Sequence, residues 1–248
     1  MKENYIVSMS GGKDSTAMLL LMLEKGERVH SVVTFDTGWE FPAMHSHIDK
    51  LEAYTEIPFV RLSPKKPFTY WMFEREIVAK KGDKKGQVHR IGNGWPSPMR
   101  RWCTRLKVDS INNYVKTVDS PVSCVGYAAD EAYRLKSNSK IKRRYPLIEY
   151  GIDEDEALKI CKSHGFHWDG LYNIFSRVSC FCCPLQSKKE LRKLRRHYPE
   201  LWQKMLYWDS MMPGHNRGFR GYSTVHDMEK IFKAEDQWLR LPGFERVA

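Results

Sequence analysis

A chain of 248 residues with 42% hydrophobic residues is long enough to bury one sizeable core, with room for a small appended subdomain. No apolar run approaches the roughly 20 residues of a membrane span, and the polar start "MKENY" has no secretory apolar region behind it, so no membrane association and a cytoplasmic location are expected. The formal net charge is +11, from 41 Lys and Arg against 30 Asp and Glu, and the excess gathers in "KKGDKKGQVHR", "MRRWCTRLK", "KIKRR" and "KKELRKLRRH". Two readings of these clusters stay open: solvated faces that add counter-charge for a nucleotide, or contacts to a nucleic acid.

In chain order, strand and helix signals alternate. "NYIVSMS", "VHSVVTFD", "PFVRLS" and "PVSCVGYA" are short runs rich in Val, Ile, Phe and Tyr that end near Ser, Gly, Pro or Asp, and they read as buried strands. Between the first two lies the helical pattern "STAMLLLMLEKG". Between the second and third lies "FPAMHSHIDKLEAYTE", with Met44, Ile48 and Leu51 on one face. Repeated βαβ units of this length predict an α/β fold, a doubly wound parallel sheet with helices on both faces. Residues 81–99, with four glycines, two prolines and no periodicity, read as a long loop. Beyond residue 150 the pattern predicts a helical part. "DEDEALKICKSHG" carries a capping box in Asp153 and Glu156 and a stop at Gly165, and one long basic amphipathic helix is expected over residues 187–209. The expected division is a nucleotide-binding domain over 1–150 and a helical subdomain over 151–248.

The segment "SGGKDS" sits between the first strand and the first helix. Gly11 and Gly12 allow a tight turn that presents N–H groups to an anion at the helix N-terminus, and Lys13 adds a positive charge. It is not a Walker A loop: Val7 stands where the first glycine is required and Asp14 follows the lysine.

The hexapeptide resembles the PP-loop of the ATP pyrophosphatases, or adenine nucleotide alpha hydrolases. Four further stretches, "FDTGWEFPAMHSHI", "RWCTRLK", "VGYAADEAYR" and "RRYPLIEY", resemble in order the blocks of the phosphoadenosine phosphosulfate reductase family. Among its branches the motifs are most similar to the DNA phosphorothioation sulfurtransferases. The resemblance implies a Rossmann-like fold that binds ATP, or PAPS or APS, with Mg²⁺, through Ser10, Gly11, Gly12, Lys13, Asp14, Ser15, Asp36, Gly38, Gly126 and Arg134, with Lys13 and Asp14 the catalytic pair. Residue chemistry leaves bland alternatives open: Asp36 as a turn-capping aspartate, Arg134 in a salt bridge to Asp130 or Glu131, and Asp14 as a helix cap.

Six cysteines, at 103, 124, 161, 180, 182 and 183, are poor candidates for a disulfide framework in a reducing compartment. "SRVSCFCCPLQ" supplies a C-x-x-C from Cys180 to Cys183. With Cys103 these cysteines resemble the family's [4Fe–4S] ligands, although the spacing alone also suits zinc or thiols that hold no metal. Paired cysteines of the adenylylsulfate reductases are replaced here by Trp102 and Cys103, which leaves the fourth ligand open. Cys124 and Cys161 read as buried packing residues. No cysteine follows Cys183, so the tail "WLRLPGFERVA" offers no thiol for the attack on sulfur made by the sulfonucleotide reductases. The expectation is therefore an enzyme that cleaves the α–β bond of ATP to adenylate an acceptor and transfers sulfur to it. A tRNA or DNA acceptor and a sulfur donor protein are its expected partners. A sulfonucleotide reductase of unusual layout and a non-catalytic nucleotide-binding subunit are the alternatives.

Overall fold

In chain order the elements are β1 (Asn4–Met9), α1 (Lys13–Glu24), β2 (Val29–Phe35), α2 (Pro42–Thr55), β3 (Phe59–Leu62), α3 (Phe68–Phe73), β4 (Glu76–Val78), β5 (Val88–Ile91), α4 (Trp102–Val115), β6 (Pro121–Val125), β7 (Arg143–Arg144), α5 (Pro146–Glu149), α6 (Glu154–Ser163), α7 (Leu171–Ile174), α8 (Lys188–His197), α9 (Pro199–Ser210) and α10 (Val225–Trp238). Single 3₁₀ turns cover Ala129–Arg134 and Trp168–Gly170. The structure, a computed structural model, describes residues 3–135, 141–212, 214 and 218–238. Lys140 of "KIKRR" and all but the first residue of the tail "WLRLPGFERVA" lie outside the described residues.

The chain forms two compact units, residues 1–65 with 104–180, and residues 66–103 with 181–248. This division differs from the expected boundary at residue 150. The segment 151–180 carries apolar groups that close the α/β unit: Ala157 and Cys161 are fully buried, and Trp168 stacks on His47 of α2 with ring centroids 4.2 Å apart.

The first unit holds a five-stranded sheet in the order β3-β2-β1-β6-β7, all parallel. The four strands expected from the apolar runs are present, and β7 adds a two-residue edge. Strands buried on both faces read as continuous Val and Ile runs, as "IV" in β1 and "SVVTF" in β2 do. Ile6, Val33, Val115 and Ile141 form one core cluster, with Val60, Leu62 and Ile111 packed against it. In α2, Met44, Ile48 and Leu51 are buried as their spacing requires. The capping box of α6 is formed: Glu156 N–H donates to Asp153 Oδ1 at 2.8 Å and Asp153 N–H to Glu156 Oε2 at 3.1 Å. Cys124 and Cys161 are fully buried, as expected of packing residues.

The second unit differs from expectation in two places. Residues 81–99 are not one open loop, because Val88–Ile91 pairs antiparallel with Glu76–Val78. The two strands are only three and four residues long, too short for an alternation signal beside a tip of Lys and Gly. The basic stretch 187–209 is two helices, α8 and α9, because the Pro199 ring cannot continue the first and instead opens the second. Trp95 anchors this unit's core: it is 1% exposed, meets Phe219 edge-to-face at 5.0 Å, and donates Nε1–H to Asp209 Oδ1 at 2.9 Å. No helix among the described residues is long and apolar enough to cross a membrane.

Candidate nucleotide site

The chain leaves β1 in one direction to build β2 and β3, then returns to place β6 on the other side of β1. A doubly wound sheet opens a crevice outside the carboxyl ends of its strands where the order reverses. The turn after β1 is Ser10-Gly11-Gly12, and the turn after β6 begins at Gly126. A cavity of about 280 Å³ lies there within the first unit, lined by residues that include Ser10, Gly12, Lys13, Asp14, Ser15, Gly126 and Arg134.

Local geometry explains the glycines. Gly11 has φ +78°, a left-handed conformation that side chains disfavour, and its carbonyl accepts Trp168 Nε1–H at 2.7 Å. At Gly126 an added Cβ would lie 2.9 Å from the N and Cα of Ser15, so only glycine lets the end of β6 approach the first turn of α1. Ser15 ties the turn together: its hydroxyl lies 3.0 Å from Ser10 Oγ and donates to the Gly12 carbonyl at 3.1 Å. The N-cap of α1 is Gly12, which has no side chain to cap the helix. The positive end of the helix dipole therefore faces the cavity.

Lys13 does not stand as an unpaired charge. Its side chain is 6% exposed, and Nζ donates to Glu154 Oε2 at 2.7 Å and to Asp14 Oδ1 at 2.9 Å. Burial opposes the ammonium, but these two carboxylates outweigh it and hold Lys13 above its ordinary value. Burial raises the Asp14 carboxyl, and the charges of Glu154 and Glu131 add to that against the pull of Lys13. Tyr172 accepts the backbone N–H of Lys13 at 2.8 Å, and burial pushes its phenol well up, so the hydroxyl keeps its proton. Beneath the turn, Cys161 donates Sγ–H to the Lys13 carbonyl at 3.3 Å, and burial pushes its thiol up to about 12. Arg134 pairs with Glu131 and lies 4.3 Å over the Tyr127 ring. The ion pair considered for Arg134 from sequence is present.

Lys107 and Arg177 also line the cavity, and among the described residues neither makes an ion pair or a side-chain hydrogen bond. Sequence reasoning missed both, along with Glu40, Glu154 and Tyr172. Arg177 stands three residues before Cys180 in "SRVSC", a proximity that could have marked it, whereas nothing local marks Tyr172. Of the remaining expected residues, Gly11, Asp36, Gly38, Cys103 and Cys183 are not part of the lining, and Cys180 is. Asp36 is exposed and accepts the Gly38 N–H at 2.7 Å, the turn-capping arrangement. Asp36, Glu40 and His45 bring one ligand atom each within 4.8 Å of one another. The Cys180 thiol lies 3.6 Å from Thr37 Oγ1 and 3.9 Å from Glu40 Oε1. Cys103, Cys180 and Cys183 are all half-buried, unlike Cys124, Cys161 and Cys182, which are buried. Cys180 ends the first unit, while Cys103 and Cys183 belong to the second.

The model of the phosphoadenosine phosphosulfate reductase domain matches residues 4–149, which contain both turns of this crevice. The chain belongs to the phosphoadenosine phosphosulfate reductase family. Relatives include an uncharacterized protein of Methanocaldococcus jannaschii, 25% identical over 96% of this chain and 46% of its own length. A second uncharacterized protein of that organism is 25% identical over 97% of this chain and 53% of its own length. The chain thus spans about half the length of these two curated relatives. An uncharacterized 37.8 kDa protein of Escherichia phage 186 is 25% identical over 92% of this chain and 81% of its own. The structure of a phosphoadenylyl-sulfate (PAPS) reductase from Candida auris, a phosphate complex, superposes with a TM-score of 0.51 at 16% identity, covering 73% of this chain and 82% of that one. At that identity the likeness bears on the fold, and it agrees with the parallel α/β sheet and helical C-terminal part of this family member.

Proposed function

We propose that this family member binds ATP or a related adenine nucleotide in the crevice, sets its phosphates against Ser10–Ser15, and adenylates an acceptor. An acceptor oxygen attacks the α-phosphorus and pyrophosphate leaves. A sulfur nucleophile then displaces AMP, so that the acceptor carries sulfur in place of that oxygen. The observation that carries this reading is the cavity lining itself. One cavity gathers the N-terminus of α1, the cations of Lys107 and Arg177, which make no ion pair among the described residues, and the thiol of Cys180. A turn suited to a phosphate and a thiol suited to sulfur chemistry thus share one cavity. Asp14 supplies a carboxylate fit to hold Mg²⁺ against the phosphates, and a divalent ion there would neutralise the departing pyrophosphate.

Among the described residues the side chains close enough to share one metal ion are Asp36, Glu40 and His45; the iron–sulfur centre that the family resemblance implies would instead use the half-buried, soft thiols of Cys103, Cys180 and Cys183. These three cysteines would hold it, and when bound it would supply sulfide or electrons. Iron and sulfide assay of anaerobically purified protein tests that assignment, and a stoichiometric zinc content would replace it. A nucleic acid is the acceptor class that the +11 charge favours.

Cys180 in the lining also favours a second reading, in which its thiolate attacks the sulfate sulfur of APS or PAPS and the nucleotide leaves. One experiment separates the two. The protein is incubated with ATP, APS or PAPS, a thiol and an acceptor, and pyrophosphate, AMP and sulfite are measured. Pyrophosphate release from ATP that disappears in Lys13→Ala and Asp14→Ala supports adenylation. Sulfite release lost in Cys180→Ser establishes the reductase instead. Tight ATP binding with neither product refutes both and leaves a nucleotide-binding subunit.

A further inference from the structure

We propose that the β4–β5 hairpin of the second unit is a docking arm for the phosphate backbone of a nucleic acid. Its binding does not depend on the adenylation chemistry, although it would explain how a polymeric acceptor is held.

The basic clusters that look alike in sequence differ in structure. On α8, Arg192 pairs with Glu235 at 2.5 Å, Arg195 with Glu229 at 2.8 Å and Asp236 at 2.6 Å, and Lys193 with Glu190 at 2.8 Å. Arg144 of "KIKRR" pairs with Glu27 and Glu149. These four cations have carboxylate partners, while Lys188, Lys189 and Arg196 of α8 make no ion pair among the described residues. Between residues 75 and 101 stand eight lysines and arginines against only Glu76 and Asp83, and among the described residues none of the eight makes an ion pair.

The hairpin is also ordered to present them. Ile77 faces Arg90 and Val78 faces Val88 across the ladder, and the His89 ring nitrogen Nδ1 bonds the Ile77 carbonyl at 2.7 Å. The tip is closed by backbone bonds, Gly86 N–H to the Ala79 carbonyl at 2.9 Å and Lys85 N–H to the Gly82 carbonyl at 3.0 Å. Lys80, Lys81, Lys84 and Lys85 are exposed on this turn. At its base, Arg90 keeps a buried Nε with no hydrogen-bond acceptor, and burial, then the Arg100 charge, act against its own. A guanidinium with an unused donor suits a phosphodiester, which accepts its forked N–H groups. Arg75 lies 4.4 Å over the Trp71 ring beside this strand pair, a cation held flat on an aromatic. A bilayer fits less well, since the tip "KKGDKKG" has no apolar residue to insert. The major groove of B-DNA admits a two-stranded β-ribbon.

The test uses the full chain, a labelled duplex DNA, a labelled single-stranded RNA, and phosphatidylglycerol vesicles, with ATP-dependent pyrophosphate release followed separately. The parent should bind at least one nucleic acid, with affinity that falls as salt rises by a log–log slope of about −0.9 per phosphate on duplex DNA and about −0.7 on a single strand. Lys84→Glu with Lys85→Glu, at exposed tip positions that leave the core untouched, should weaken binding by about tenfold or more and make the slope shallower by about two. Arg90→Gln should weaken it with an unchanged circular dichroism spectrum. Arg196→Glu, an exposed change on α8, should have little effect. No nucleic-acid binding at low salt, tip variants that bind like the parent, a larger loss in Arg196→Glu, or binding to vesicles alone would each overturn the assignment. Pyrophosphate release lost while hairpin-dependent binding persists would overturn the adenylation reading and leave the arm standing.

Discussion

Glu154→Gln asks directly how the turn receives a phosphate. Lys13 Nζ is 2.7 Å from Glu154 Oε2, with the lysine side chain 6% and the glutamate side chain 39% exposed. A nucleotide phosphate that uses Lys13 must compete with this carboxylate. A charge-assisted hydrogen bond nets about 1.5–3 kcal/mol when sheltered, and solvent access to Glu154 lowers that to roughly 1 kcal/mol. Glutamine keeps the shape and an acceptor oxygen but removes the charge. Nucleotide affinity should therefore tighten about fivefold, the equivalent of that 1 kcal/mol. Isothermal titration with ATP and with APS, at two ionic strengths, reads the effect, and the gain should shrink as salt rises. Thermal unfolding of the free protein should move down by only a few degrees, because Asp14 remains at 2.9 Å. If Glu154→Gln binds both nucleotides no better than the parent, Lys13 is not released to the phosphate and the turn works through its backbone alone.

Gly126→Ala should cost about 1–3 kcal/mol through overpacking against the backbone of Ser15, and a melting temperature equal to the parent's would show that the approach is not tight. Arg177→Ala and Lys107→Ala should each weaken nucleotide binding severalfold without lowering the melting temperature, since neither makes an ion pair within the described fold; a matching fall in stability would reassign them to structure. Asp153→Ala should cost about 1 kcal/mol by opening the capping box of α6, read by denaturant unfolding. Burial and the Lys50 charge bring the His47 pKa from 6.5 to about 4, so its contribution to stability is fully present above pH 6.5 and is lost as pH falls toward 4. That loss should reach about 3 kcal/mol, and a His47→Gln variant should show a flatter pH profile in this window.

The parallel sheet was legible because its strands are buried on both faces and so appear as unbroken apolar runs. The capping box was legible for the same local reason: Asp153 and Glu156 satisfy each other within four residues. What stayed hidden is long-range. Tyr172 reaches Lys13 across 159 positions and Glu154 reaches it across 141, and no pattern at either end announces the contact. The division into units departs from residue 150 on the same ground, since Cys161 and Trp168 pack into the α/β unit from a stretch that reads as separate helices. Ion pairing is equally invisible in a one-dimensional charge count. "KKELRKLRRH" and "KKGDKKGQVHR" look alike until α10 brings Glu229, Glu235 and Asp236 to the first.

The charge balance of the crevice bears on substrate choice. Lys13 and Arg134, the two cations expected from the motifs, are both paired with carboxylates, while among the described residues Lys107 and Arg177 are not. An anion entering the cavity therefore meets the dipole of α1 and the unpaired pair first, and gains Lys13 only by displacing Glu154. A triphosphate with bound Mg²⁺ can offer the metal to Asp14 and Glu154 in return for the ammonium, whereas a sulfonucleotide without a metal has nothing to offer those carboxylates. On this reasoning Mg²⁺ should strengthen ATP binding more than APS binding, and Asp14→Asn should remove most of that difference. Equal Mg²⁺ dependence for the two nucleotides would take away the electrostatic reason for preferring ATP, and would shift the weight to the Cys180 thiol acting on a sulfate.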